Sequence, residues 1–360
     1  MLRLEPRKEP SQVMLYLTPF LALLLTLAFG FALFVALGKD PILALSTIFI
    51  EPLTSRFGLT ELGVKATPLI IIAIGLSLGF RAGVWNIGAE GQFTIGALTG
   101  GATGLALHDV PGIWVLPLMA LAGALGGAAW AAIPALLRTR FNANEILVSL
   151  MLTYVAVLLL SVLVHGPLKD PQGFNFPESR QFHDAATLPI IVAGSRLHIG
   201  AVAALATVAV AAVVLGRHLF GYKIKVLGQA PAAARFAGFS ETRIVWQCLL
   251  ASGALAGLAG LFEAAGPVGQ LVPALPVGYG FTAIIVAFLG RLNPVGVLFA
   301  GLLMALTYIG GEMAQIAMSL PSAVTSVFQG MLLFFLLAVD VLVNFRVRGR
   351  RGASMRVERE

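Results

Sequence analysis

Residues 80–101 read FRAGVWNIGAEGQFTIGALTGG. Arg81, Asn86, Glu90 and Gln92 fall close together there, spaced by glycines, between two long apolar runs. How this stretch is read decides the fold. Taken as a junction, it separates two spans, at 64–80 and 87–107. A carboxylate in hydrocarbon is costly, so Glu90 needs a reason. Three placements remain open. Glu90 could sit at headgroup level, solvated and screened by Arg81. It could organise a helix junction, with Asn86 capping an N-terminus and Glu90 near the positive end. Or the segment could be broken backbone lining a route, where Asn86, Glu90 and Gln92 offer hydrogen bonds to a polar solute.

The rest of the composition says what surrounds that stretch. Of 360 residues, 58% are hydrophobic and 11% charged, and mean hydropathy is +0.91. A soluble domain carries about 25% charged residues. Most of this chain therefore avoids water, and the expected fold class is all-α, a polytopic bundle of transmembrane helices. The one cysteine, Cys248, excludes an internal disulfide. No basic stripe interleaved with aromatics points to nucleic acid. The apolar run Val13 to Leu37 is too long for a cleaved signal peptide and is read as the first span.

Apolar runs of spanning length fall at 13–37, 64–80, 87–107, 113–137, 145–164, 198–216, 243–265, 278–290, 293–313 and 322–344. The eighth is too short to cross alone and is expected to be broken or re-entrant. Ten crossings place Arg3, Arg7, Lys8, Arg81, Arg138–Arg140, Arg217–Arg243, Arg291 and Arg346–Arg351 on one side, the cytoplasmic one. Both termini are then cytoplasmic, and the opposite loops carry mixed charge. Spans two to five start outside and spans seven to ten start inside, the topology of an inverted repeat. The chain is read as a single permease-like domain over 1–360, with an outer loop at 165–197 and a basic tail at 345–360.

The segment between spans six and seven, at 217–242, is long for an inner loop. It contains a short helix with clear punctuation: Pro231 for the first turn, Ala232–Ala237 as helix body, and Gly238 for a left-handed end. Ser240 then caps the next helix. Such a helix offers Arg235 and Phe236 to water. That fits a docking knob and equally a helix resting on lipid headgroups.

The string LGQAPAAARFAGFS, with Gly228, Gln229, Pro231, Ala233, Ala234, Arg235, Phe236 and Gly238, resembles the coupling-helix motif of ABC importer permeases. The likeness is to the group that moves branched-chain amino acids, simple sugars and nucleosides. Gly83, Asn86, Ile87, Gly88, Glu90, Gly91, Gln92 and Gly96 resemble that family's third-span signature, nearest its purine nucleoside uptake subgroup. Asn144, Glu145 and ILVSLMLTYVA resemble that subgroup's fifth span, and GPLKDPQGFNFPES its following loop. The resemblance covers nearly the whole chain. It implies a permease half in a bacterial inner membrane, a second permease subunit, a cytoplasmic ATPase docked on the coupling helix, and an extracytoplasmic binding lipoprotein that delivers solute. ATP and magnesium would be used by the partner ATPase, with no cofactor held by this chain. The sequence has no Gly-x-x-x-x-Gly-Lys-[Ser/Thr] loop, so ATP hydrolysis requires another chain.

The residues weighed for the route are Asn86, Glu90, Gln92, Asn144, Glu145, Tyr279 and Phe281. Glu263, Glu312 and Asp340 lie near span ends, where solvation is expected. The five histidines are scattered, no His-Glu-x-x-His occurs, and no metal or catalytic set is expected. The alternative class is an ion-coupled secondary transporter, which would account for intramembrane carboxylates but not for the exposed helix at Pro231. Within the importer class the substrate order is nucleoside, then simple sugar, then branched-chain amino acid.

Overall fold

A computed structural model describes residues 3–6, 12–110 and 112–348. Arg7, Lys8 and Arg350–Arg351, which enter the side assignment, lie outside them. Each of the ten apolar runs is a helix: α1 (Gln12–Ala36), α4 (Arg56–Arg81), α5 (Ala89–Ala106), α6 (Val115–Phe141), α7 (Glu145–His165), α8 (Gly200–Arg217), α11 (Glu241–Glu263), α12 (Tyr279–Leu289), α13 (Pro294–Met318) and α14 (Ala323–Asn344). Between them lie α2 (Pro41–Phe49), α3 (Glu51–Thr54), α9 (Leu219–Gln229) and α10 (Pro231–Phe236). Eight of these helices are long and apolar enough to cross a membrane. The protein is a multi-pass, all-α membrane protein. Two of the ten fall short of that standard, α5 and α12. Glycines and polar residues dilute α5, and α12 has only 11 residues.

The described residues form two compact units, residues 1–51 with 310–360, and residues 52–309. In the first, α1 packs on α14, with Phe34 stacked on Phe328 at 5.6 Å and Phe29 edge-on to Phe335 at 6.3 Å. Asp40 starts α2 by accepting from the amides of Ile42 (2.9 Å) and Leu43 (3.2 Å), with Pro41 as first helical residue. A short ribbon, β1 (Arg3–Pro6) antiparallel to β2 (Phe345–Arg348), joins the two chain ends. Ends paired in one ribbon lie on one side, as an even number of crossings requires.

In the second unit α5, α6 and α11 pack on one another, and α4 lies against α11, α12 and α8. The close approach is made by glycines. Cβ atoms at Gly96, Gly127 and Gly257 would collide with facing backbone, because α5, α6 and α11 meet there nearly main chain to main chain. In lipid, where apolar burial does not drive helices together, such contact supplies the dispersion that holds them. The start of α4 is earlier than the hydropathy pattern indicates: Ser55 caps it by accepting from Gly58 N–H at 2.9 Å. Its first turns are polar, and Glu61 there is buried against Arg196 in a two-pronged ion pair at 2.5 and 3.0 Å. The loop at 165–197 is ordered over the end of α11. Ser179 and Phe182 donate to the carbonyls of Leu271 and Gly269, both at 2.9 Å, and Leu188 donates to Ala265 at 2.9 Å.

Candidate functional site: the α5–α12 junction and the α9–α10 surface segment

Gly88 begins α5, and no side chain caps it. Asn86 does not cap this helix. It forms a reciprocal amide pair with Gln92: Asn86 Nδ2 donates to Gln92 Oε1 at 2.8 Å and Gln92 Nε2 to Asn86 Oδ1 at 3.0 Å. Asn86 also donates to Ser252 Oγ on α11 at 3.0 Å and accepts from Gly88 N–H at 3.1 Å. Both amides are about 1% exposed. Their polar atoms are spent on one another, which is what burial of an amide requires.

Glu90 is 2% exposed, so the solvated headgroup placement does not hold. Its carboxylate accepts from two backbone amides at the start of α12, Gly278 N–H at 2.7 Å and Gly280 N–H at 2.5 Å. A helix N-terminus has unpaired N–H groups and a positive dipole end, and a carboxylate satisfies both. Two glycines permit this. Gly278 sits at φ +90°, and a Cβ at Gly280 would collide with the backbone of Glu90. The carboxylate therefore organises a junction, but the helix it organises is α12, far along the chain.

Tyr279 is fully buried. Its ring lies edge-on to Phe93 (5.9 Å) and Tyr308 (5.7 Å). Its hydroxyl donates to Glu263 Oε1 at 3.4 Å, and Lys65 Nζ stands 5.9 Å from the ring centre. Thr282 and Tyr308 share a hydroxyl hydrogen bond at 2.8 Å. Glu263 is thus buried, not solvated: α11 runs on into a wide turn at Ala264–Val268 that the 165–197 loop covers. Glu312 is exposed, as expected. Phe281 is 40% exposed. The side chain of Asp340 lies outside the described residues.

Asn144 and Glu145 stand at the start of α7. Asn144 caps it, accepting from Ile146 (2.9 Å) and Leu147 (3.4 Å) amides. Glu145 pairs with Arg138 at 2.5 Å and receives Trp85 N–H at 3.5 Å. Neither joins the group around Tyr279. Just outside the α8 span, His198 is buried. Its Nδ1 accepts from Gly200 N–H at 3.1 Å, and burial pushes its pKa down to about 4. Among the described residues no group of three or more His, Cys, Asp or Glu could hold a metal ion.

On the other part of the site, α10 forms where its punctuation places it. Pro231 is its first residue, Gly238 follows it at φ +76°, and Phe239 N–H returns to Ala234 carbonyl at 3.0 Å. Ser240 caps α11 through Arg243 N–H at 3.4 Å. Ala234 is buried, whereas Gln229, Arg235 and Phe236 are exposed, Phe236 by 97%. Gly228 lies on the end of α4, where a Cβ would collide with the Arg81 carbonyl. Ile224, Leu227 and Ala234 share one apolar cluster with Leu78, Ala82, Val84 and Cys248.

Residue types alone could not find Ser252, Lys65 or Tyr308 in these contacts. Each is remote in sequence from its partner and carries no local pattern.

Over residues 58–337 the chain matches the family described as Branched-chain amino acid transport system / permease component. It is 41% identical to the glucose ABC transporter permease protein TsgB13 of Haloferax volcanii, over 96% of this chain and 93% of that one. It is 30% identical to the guanosine ABC transporter permease protein NupP of Bacillus subtilis, over 89% and 92%. It is 26% identical to the nucleoside ABC transporter permease protein NupB of Lactococcus lactis, over 91% and 92%. No solved structure matches it.

Proposed function

The chain belongs to the family of branched-chain amino acid transport system permease components, and from that premise we propose that it is the membrane-spanning half of an ATP-driven importer for a nucleoside or simple sugar. The observation that carries this reading is α10. Its bare Phe236 and Arg235 would also suit lipid headgroups, but on a chain whose relatives are ABC transporter permeases they fit a knob for a soluble partner. In this reading α10, with Gly228, Gln229, Pro231, Ala234, Arg235, Phe236 and Gly238, docks a cytoplasmic ATPase. ATP and magnesium act in that partner. A second permease subunit completes the route, and an extracytoplasmic binding protein supplies the solute across an inner membrane.

The substrate reading rests on the relatives. Glucose and guanosine, named for two of them, share a polyhydroxylated ring. In our reading the route runs beside the α5–α12 junction. In each four-helix block, α4–α7 and α11–α14, the second helix is the one that falls short of a full span. Matching short segments in two halves mark the solute site in transporters built from repeats. Phe281, half exposed, is the side chain offered there, backed by the buried Tyr279 group.

Purification of the tagged chain in mild detergent from its native membrane, read by mass spectrometry, tests this. The expected result is co-purification of a P-loop ATPase and a second permease, with ATP-dependent uptake of nucleoside or sugar after reconstitution. A chain that stays alone and takes up solute in vesicles without ATP would place it among ion-coupled carriers instead.

A further inference from the structure

The stretch at 80–92 holds α12 at both ends. At its start, Glu90 takes the amides of Gly278 and Gly280. At its end, Arg81 Nε donates to the Leu292 carbonyl at 2.9 Å. Phe288, next to last in the helix, packs against Phe80 at 5.1 Å and Trp85 at 5.9 Å. The acid sits at the positive end of the helix and the base at the negative end, both signs favourable to its dipole. An 11-residue helix is about 16 Å long, so one short stretch reaches along it completely. The turn that receives Arg81 takes an uncommon backbone path. Arg291 and Leu292 are both left-handed, at φ 56° and 55°, a conformation side-chain-bearing residues hold only when neighbours enforce it. Asn293 accepts from Val295 N–H at 3.0 Å, and Pro294 begins α13.

The same stretch is the seat of the surface segment. Gly228 lies against the Arg81 carbonyl, and Ile224 and Leu227 of α9 and Ala234 of α10 are buried with Leu78, Ala82 and Val84 in one cluster. The contacts run without a gap from α10 through α9 to Arg81, and from Arg81 to α12.

We infer that Arg81 is a positioning residue that passes displacement of α10 to α12, making this short helix the element that the surface segment moves. The inference rests on the importer reading of α10. When α10 is displaced, Arg81 carries the Leu292 end of α12 with it while Glu90 holds the other end on α5, and Tyr279 turns against Tyr308. Coupling of this kind runs through a packed chain of groups, here from Gly228 through Arg81 to the Leu292 carbonyl.

The test uses the whole importer reconstituted in vesicles, measuring solute imported per ATP hydrolysed. Arg81→Gln loses the charged donor to Leu292, and the ratio is expected to fall about 2- to 30-fold, the range over which residues along such networks act. Arg81→Lys keeps a charged donor and is expected to recover part of the loss. Arg81→Gln combined with Arg235→Ala is expected to lose less than the product of the two single effects, as residues on one path do. A purely structural Arg81 would lower the melting temperature and leave the ratio unchanged in the folded complex, and that result overturns the inference. If Arg81→Gln does not accumulate, Trp85→Leu, which loosens the grip on Phe288, is measured in its place by the same criterion. A wild-type complex without ATP-driven uptake overturns the importer reading and the relay with it. ATP-driven uptake with a ratio insensitive to these variants overturns the relay alone.

Discussion

Glu90 shows how a single residue can be legible in type and illegible in role. A carboxylate at a glycine-rich break demands a partner in any membrane protein. Here the partners are the two amides that open α12, a segment some 190 positions on. Glu90→Gln keeps the shape but gives up two charge-assisted hydrogen bonds, each worth about 1.5–3 kcal/mol. The expected outcome is less folded protein and a lower melting temperature in detergent, with uptake per folded molecule largely kept. Normal protein levels with lost uptake would instead put Glu90 on the route itself. His198 makes a second case. It is buried and neutral, with a pKa of about 4 against 6.5 when exposed. Between those values the unfolded chain binds the proton and the folded chain does not. Its contribution to stability is therefore present above about pH 6.5 and declines as pH falls toward 4. Thermal melts from pH 7 to 4 should show this decline, and His198→Asn should flatten it.

At the scale of elements, α10 was readable from its ends. Pro231, Gly238 and Ser240 each do there what their backbone chemistry prescribes. A side chain with a branched Cβ at Gly238 would be forced into left-handed space at a cost of about 1–2 kcal/mol. Gly238→Val is thus expected to distort the end of α10 without affecting insertion, lowering ATP-driven uptake severalfold at normal membrane levels, as scored by transport against an immunoblot. Arg235→Glu reverses the charge offered to the partner and should do the same. Uptake at wild-type level in both variants would remove the docking role from α10. The helices α2 and α3 and the early start of α4 were not readable, because Pro41, Glu51 and Arg56 interrupt the hydropathy that marks a span. Their helicity comes from caps at Asp40 and Ser55 and from burial of polar groups in pairs, such as Glu61 with Arg196.

For the whole molecule, ten helices follow from ten apolar runs, and the paired chain ends agree with an even number of crossings. Buried acids in spans otherwise point to ion coupling, but here Glu90 is bound to two amides and Glu263 to Tyr279. Transport is accordingly expected to persist when the proton and sodium gradients are collapsed by ionophores, provided ATP is supplied. Radiolabelled nucleoside or glucose uptake into inside-loaded vesicles checks this, and abolition by the ionophore would count against ATP as the driving source. What the sequence by itself determined is everything carried by local pattern: the all-α membrane class, the apolar segments, the short eighth helix, and the punctuation of α10. These depend on hydropathy over a span and on backbone preferences over a few residues. Only the tertiary structure decided the partners of the polar residues. Asn86 meets Gln92 and Ser252, Glu90 meets Gly278 and Gly280, and Arg81 meets Leu292. A buried polar group must be satisfied, but nothing in its own neighbourhood specifies by whom; that is settled when remote helices pack, and here glycine-to-backbone contact sets how closely they do.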